Sequence, residues 1–125
     1  MTLSAKGAAR PDIVWQRYAD VDQWASWSPQ IKTVHSVGRR LEPGLSGTVE
    51  ALGGIRAAFV VEAVDHDRRT WTWRVRLGRI QVRLHHGVTP QGRGCTTSLT
   101  MYGPGPVLLA YAPLARLALH RLVQP

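Results

Sequence analysis

Two periodicities divide the chain. From Pro11 to Trp27, and again from Pro104 to Val123, apolar residues recur at helical spacing. Between Ile31 and Tyr102 they alternate with polar ones, which is the period of strands. Thr2 to Ala8 alternates weakly and reads as a first strand. Pro11 opens a helix at a position that favours proline, with Asp12 suited to the helix dipole and Ile13, Val14, Arg17, Tyr18 and Val21 on one side. A second short helix spans Asp22 to Trp27 and ends at Pro29.

Six strands follow: Ile31 to Val37, Ser46 to Leu52, Ile55 to Val64, Arg69 to Leu77, Ile80 to Val88 and Cys95 to Tyr102. Glu42-Pro43-Gly44, Gly53-Gly54, Asp65-His66-Asp67, Gly78 and Thr89-Pro90-Gln91-Gly92 punctuate them as turns. The last element is a long helix with Val107, Tyr111, Leu114, Ala118 and Leu122 on one stripe. Pro113 removes a backbone donor there and is expected to bend it. Charges enter at Arg116, so the uncharged run falls well short of the roughly 20 residues of a membrane span. Sequential hairpins with helices held to one face make the class α+β, with an antiparallel sheet.

Composition narrows the picture. At 125 residues, residues 1–125 are expected to form a single domain. Cys95 is alone, which leaves no intrachain disulfide and no cysteine-based metal cluster. The N-terminal residues contain no apolar signal core, so the cytoplasm is the expected compartment. The net charge is +8, and Lys6 and Lys32 are the only lysines among 16 basic residues. Such a balance attracts anionic partners without naming one.

Alternation then assigns faces. Trp71, Trp73, Val75 and Leu77 share one face of their strand, and Ile80, Val82, Leu84, His86 and Val88 share one face of the next. Arg74, Arg76, Arg79 and Arg83 fall on the opposite face with His85. The greasy face must meet the C-terminal helix. The arginines lack interleaved aromatics, so specific nucleic-acid binding is not expected. His85 and His86 point to opposite faces and cannot easily share a metal ion, and no metal site is expected. His86 admits two readings. It is a core histidine satisfied by a backbone carbonyl or by Tyr111, or it is an acid or base facing a ligand. Trp15, Trp24 and Trp27 read as packing residues of the short helices, and Cys95 as a small core residue.

The order of elements resembles the helix-grip fold of the START/Bet v 1-like (SRPBCC) superfamily, in which a curved antiparallel sheet wraps a long C-terminal helix. Ala9 to Pro29, Leu41 to Val49, Trp71 to Val75 and His85 to Pro90 carry the resemblance. The succession Val-Trp, Asp-Val, Trp-x-x-Trp-x-Pro is similar to the bacterial polyketide cyclase/dehydrase branch. The resemblance implies a cavity between sheet and helix that holds a hydrophobic small molecule, aromatic or polycyclic. Trp71, Trp73, Val75, Leu84, Phe59, Leu99, Met101 and Val107 are its expected lining. If there is turnover, the resemblance implies cofactor-independent cyclisation or dehydration of a polyketide-like substrate. His86 would then be the base and Tyr111 the donor to an enolate oxygen. A monomer or a homodimer fits this reading. The competing expectation is a non-enzymatic module that docks an acidic partner, a ribosome or a membrane surface through the arginine face.

Overall fold

The computed structural model describes Met1–Pro125. Seven strands form one antiparallel sheet in the order β1-β7-β6-β5-β4-β3-β2. They are β1 (Thr2–Gly7), β2 (Ile31–His35), β3 (Ser46–Ala51), β4 (Arg56–Asp65), β5 (Thr70–Leu77), β6 (Ile80–Gln91) and β7 (Gly94–Tyr102). The helices are α1 (Pro11–Ala19), α2 (Trp24–Trp27), which a 3-10 turn at Val21–Gln23 precedes, and α3 (Gly105–Leu122). The sheet runs as a meander from β2 to β7, and β1 closes it by pairing with β7.

The expected element order holds, and several boundaries move. The second helix is split: Asp20 caps its 3-10 turn by accepting from the Asp22 amide at 3.0 Å. Strand β2 stops at His35, and Val37 stands fully in solvent. Thr89-Pro90-Gln91 is strand rather than turn, and the chain reverses at Gly92-Arg93. Proline is tolerated at residue 90 because β5 has already ended: Gly87 is its last partner in that strand pair, and Val88 donates to Arg69 O. The Pro90 nitrogen lies on that empty side, where no ladder bond is lost. Arg79 belongs to the β5–β6 turn and not to the outer sheet face. Ile13 is exposed on α1, and Trp15 takes the buried place instead.

Helix α3 turns differently from the expected stripe. Its buried residues are Leu108, Ala112, Ala115, Ala118, Leu119 and Leu122, while Leu114 is exposed. The helix runs unbroken past Pro113. Proline leaves the Leu109 carbonyl without its helical donor, and both residues lie on the exposed side, where water can serve it.

The C-terminal end of α3 is fixed tightly. Arg17 of α1 donates to the carbonyls of Leu122 and Gln124, each at 2.6 Å, and so satisfies acceptors that a helix end leaves open. Ala9 donates to Val123 O at 3.0 Å. The approach is so close that a Cβ on Gly7 would overlap the Val123 carbonyl, which is why glycine stands there. Helix α3 therefore lies across the sheet from a free N-terminal end to an anchored C-terminal end.

Candidate functional site: a cavity between sheet and C-terminal helix

Helix α3 packs on β1 and β7 and stands away from the middle strands. The gap is a cavity of about 270 Å³. Strands β3 to β7, α2 with the loop that follows it, and α3 contribute its wall. Of 24 lining residues, 21 are hydrophobic, and none is Asp, Glu, Lys or Arg. Alternation explains the chemistry: the greasy faces of β5 and β6 point inward, and His86 is buried while His85 is exposed. On the outer face Arg83 pairs with Glu62 at 2.8 Å, and His85 meets the Thr72 hydroxyl at 2.7 Å.

The cavity's inner end is aromatic. Trp71 stacks on His86 with ring centroids 4.5 Å apart and planes 12° apart. Trp24 stacks on the other indole at 5.6 Å, and Trp73 lies 5.2 Å from both Trp71 and Trp24. Trp24 and Trp27, expected only as packing residues, both pack and line the cavity.

His86 is held by a directional chain of hydrogen bonds. Trp73 Nε1 donates to His86 Nε2 at 2.9 Å. An indole N–H can only donate, so Nε2 is an acceptor and the proton sits on Nδ1. Nδ1 donates to the Tyr18 hydroxyl at 3.1 Å, Tyr18 to Thr97 Oγ1 at 3.0 Å, and Thr97 to Gly87 O at 3.1 Å. Each group gives one proton and takes one. Burial, with a smaller contribution from the neighbouring His85, pushes the His86 pKa down to about 3. Burial likewise pushes the Tyr18 hydroxyl above its ordinary value. The partner of His86 is thus Tyr18 of α1, not Tyr111 or a backbone carbonyl. The sequence placed Tyr18 on the inner side of α1 and gave no sign that it would meet a strand 68 residues away.

Tyr111 lines the cavity from α3. Its hydroxyl accepts from Gln30 Nε2 at 2.5 Å and keeps its own proton available. Burial raises its pKa. Two buried polar atoms of lining residues have no protein partner: Trp71 Nε1 and Gln30 Oε1. The only hint of Gln30 in the sequence was a polar residue just after the Trp-Ser-Pro break. Of the expected lining, Trp71, Trp73, Val75, Leu84, Leu99 and Val107 border the cavity. Phe59 and Met101 do not. Phe59 is core, 5.8 Å from Trp24 and 5.7 Å from Trp73, and Met101 is buried on β7, the strand on which α3 rests directly. No three metal-ligating side chains converge anywhere. No helix is long and apolar enough to cross a membrane.

Comparison with known proteins agrees with this architecture. The family model described as polyketide cyclase / dehydrase and lipid transport matches residues 1–125. The crystal structure of Ara h 8.0201 superposes with a TM-score of 0.79 at 13% identity, covering 98% of this chain and 93% of the other. A Thermobifida fusca protein solved by solution NMR superposes with a TM-score of 0.74 at 19% identity, covering 92% and 81%. At these identities the likeness is one of fold, and the fold is the helix grip of Bet v 1-like proteins. No curated protein sequence matches the chain.

Proposed function

The chain belongs to the polyketide cyclase / dehydrase and lipid transport family, and from that premise we propose that it binds and carries an uncharged aromatic or polycyclic molecule in the cavity. The observation that carries the reading is the wall itself, with 21 hydrophobic residues of 24 and no ionised side chain. An anionic or cationic ligand group placed there would lose its hydration without gaining a counter-charge. The indoles of Trp71 and Trp73 offer flat surfaces to a planar ligand. The Tyr111 hydroxyl, Trp71 Nε1 and the free end of the Gln30 amide are the polar groups a ligand could still satisfy. A ligand with a carbonyl or hydroxyl oxygen would recover about 1–3 kcal/mol for each orphaned buried group it meets.

Binding is favoured over cyclisation by the hydrogen bonds of His86. Its Nε2 lone pair is taken by Trp73 and its Nδ1–H by Tyr18. It has no free site with which to remove a proton from carbon. His86 acts instead as a positioning residue that fixes the Trp73 ring. Tyr111 remains a donor to a ligand oxygen. Lone, buried Cys95 suits the reducing cytoplasm.

Titration with fluorene, a neutral polycycle, should quench tryptophan emission saturably. Val107→Phe and Ala115→Phe, which fill the cavity, should each weaken that binding. Unquenched emission in the wild-type protein, or equal affinity in both variants, defeats the reading. Native mass spectrometry of the protein from its own host identifies the natural occupant.

A further inference from the structure

The register of the strands brings two hairpin tips to the same end of the molecule. The β3–β4 tip carries Leu52 and Ile55 around Gly53-Gly54, and the β5–β6 tip carries Leu77 and Ile80 around Gly78-Arg79. Arg56 opens β4 beside Ala57, which lies one step before the Ala58–Arg76 pair, so the tips are neighbours. The free N-terminal turns of α3 lie at this end too, because α3 follows Tyr102 and its other end is bound to Gly7 and Ala9.

Large apolar side chains stand in solvent here. Leu52 is 64% exposed, Ile55 54%, Leu77 45%, Ile80 39% and Leu109 67%. Ile55, Leu77, Ile80 and Val107 also line the cavity, whereas its lining at the other end, Trp71, His86 and Leu119, is buried. The exposed residues therefore ring the cavity mouth. Single exposed leucines are ordinary, but five around one opening form a patch of the kind that marks an interaction surface.

Charge selects the partner. Lys32, Arg56, Arg76 and Arg79 are exposed at this end. The one acid among them is Glu50, and it is taken by Arg56 at 3.0 Å. The other acids lie elsewhere: Asp65 and Asp67 are at the opposite turn, Glu62 pairs with Arg83, and Asp22 pairs with Arg39. An apolar ring with a cationic rim matches a surface that is greasy inside and anionic outside.

We propose that this end of the protein docks on an anionic lipid bilayer. Leu52, Ile55, Leu77, Ile80 and Leu109 enter the headgroup boundary, and the basic rim meets lipid phosphates. Docked in this way, the cavity mouth opens toward the hydrocarbon, so a hydrophobic molecule passes between bilayer and cavity without crossing water. The docking surface is separate from the occupant of the cavity and stands whatever that occupant is.

Vesicle flotation with the full chain tests it, using phosphatidylcholine alone and phosphatidylcholine containing phosphatidylglycerol. The protein should float with the anionic vesicles, and added salt should release it. The double variant Leu52→Glu, Leu109→Glu should bind more than about tenfold more weakly, since each buried leucine contributes on the scale of that factor or more. Neither residue lines the cavity, so fluorene quenching should persist and report an intact fold. Arg68→Glu with Arg93→Glu, at the opposite end, should leave flotation largely intact. Three results overturn the proposal: no flotation of the wild-type protein, equal flotation of the leucine double variant, or loss caused as strongly by the Arg68, Arg93 variant. A wild-type dimer in solution that Leu109→Glu dissociates would assign the face to a second copy of the chain and overturn it too.

Discussion

The two ends of the cavity are built on opposite rules. At the anchored end, Tyr18, His86 and Thr97 form a closed chain of hydrogen bonds, and Arg17 and Gly7 lock the last turn of α3. The Trp71 indole N–H is the exception there. At the open end, apolar side chains face solvent and the hairpins turn on glycines with positive φ, Gly53, Gly54 and Gly78. Stability is concentrated where the cavity is shut, and surface that packs against nothing is concentrated where it opens. One helix serves both ends, which lets a sheet of uniform hairpins hold a cavity with a single mouth.

Leucines of that helix give the largest contrast. Leu122→Ala, at a residue with no exposed surface, should cost about 2–5 kcal/mol. Leu109→Ala at the other end should stay within about 0.5 kcal/mol. Urea denaturation of both variants measures the difference, and equal losses would erase the distinction between the ends.

Acid should act on the anchored end next. The folded pKa of His86 lies near 3, below its ordinary 6.5. Above the unfolded value neither state is protonated, and the stability of the buried neutral ring is fully present. As pH falls below it, the unfolded chain takes up a proton that the folded one refuses, so stability falls, and keeps falling toward pH 3. At about 1.4 kcal/mol per unit, this one group should cost about 2 kcal/mol by pH 5. Denaturation curves across that window, with nitrogen shifts reporting a neutral Nδ1–H ring, check it. A ring already protonated at pH 5 would mean that the Trp73 bond does not hold.

Hydroxyl removal should give the smallest effect and the finest comparison. Tyr18→Phe strands the Nδ1–H of His86, while Thr97 still has Gly87 O, so a loss of roughly 1–2 kcal/mol is expected. Tyr111→Phe frees only the half-buried Gln30, which can turn to water, and should cost less in thermal unfolding while weakening an oxygenated ligand such as fluorenone more than fluorene. A reversed order of stability losses would place the rigid network at the wrong end.

Sequence alone determined the class, the order of all ten strands and helices of the fold, and the inward face of β5 and β6. Those follow from period and punctuation, which are local: Trp71, Trp73, Leu84 and His86 could face only one way once Arg74, Arg76 and His85 faced the other. The boundaries at Pro90 and Val37 were not legible, because a proline in a strand depends on whether a neighbouring strand is present beside it. The rotation of α3 was not legible either. A helix rich in leucine and alanine on every side has no single apolar stripe, and only its contact with β1 and β7 buries Leu108, Ala112 and Ala115 in place of Leu114. The same holds for the partners of His86 and Tyr111. A hydrogen bond between Tyr18 and a strand 68 residues on, or between Gln30 and a helix 81 residues on, has no local signature. It exists because folding brings those groups together out of water, where an unpaired donor or acceptor is costly.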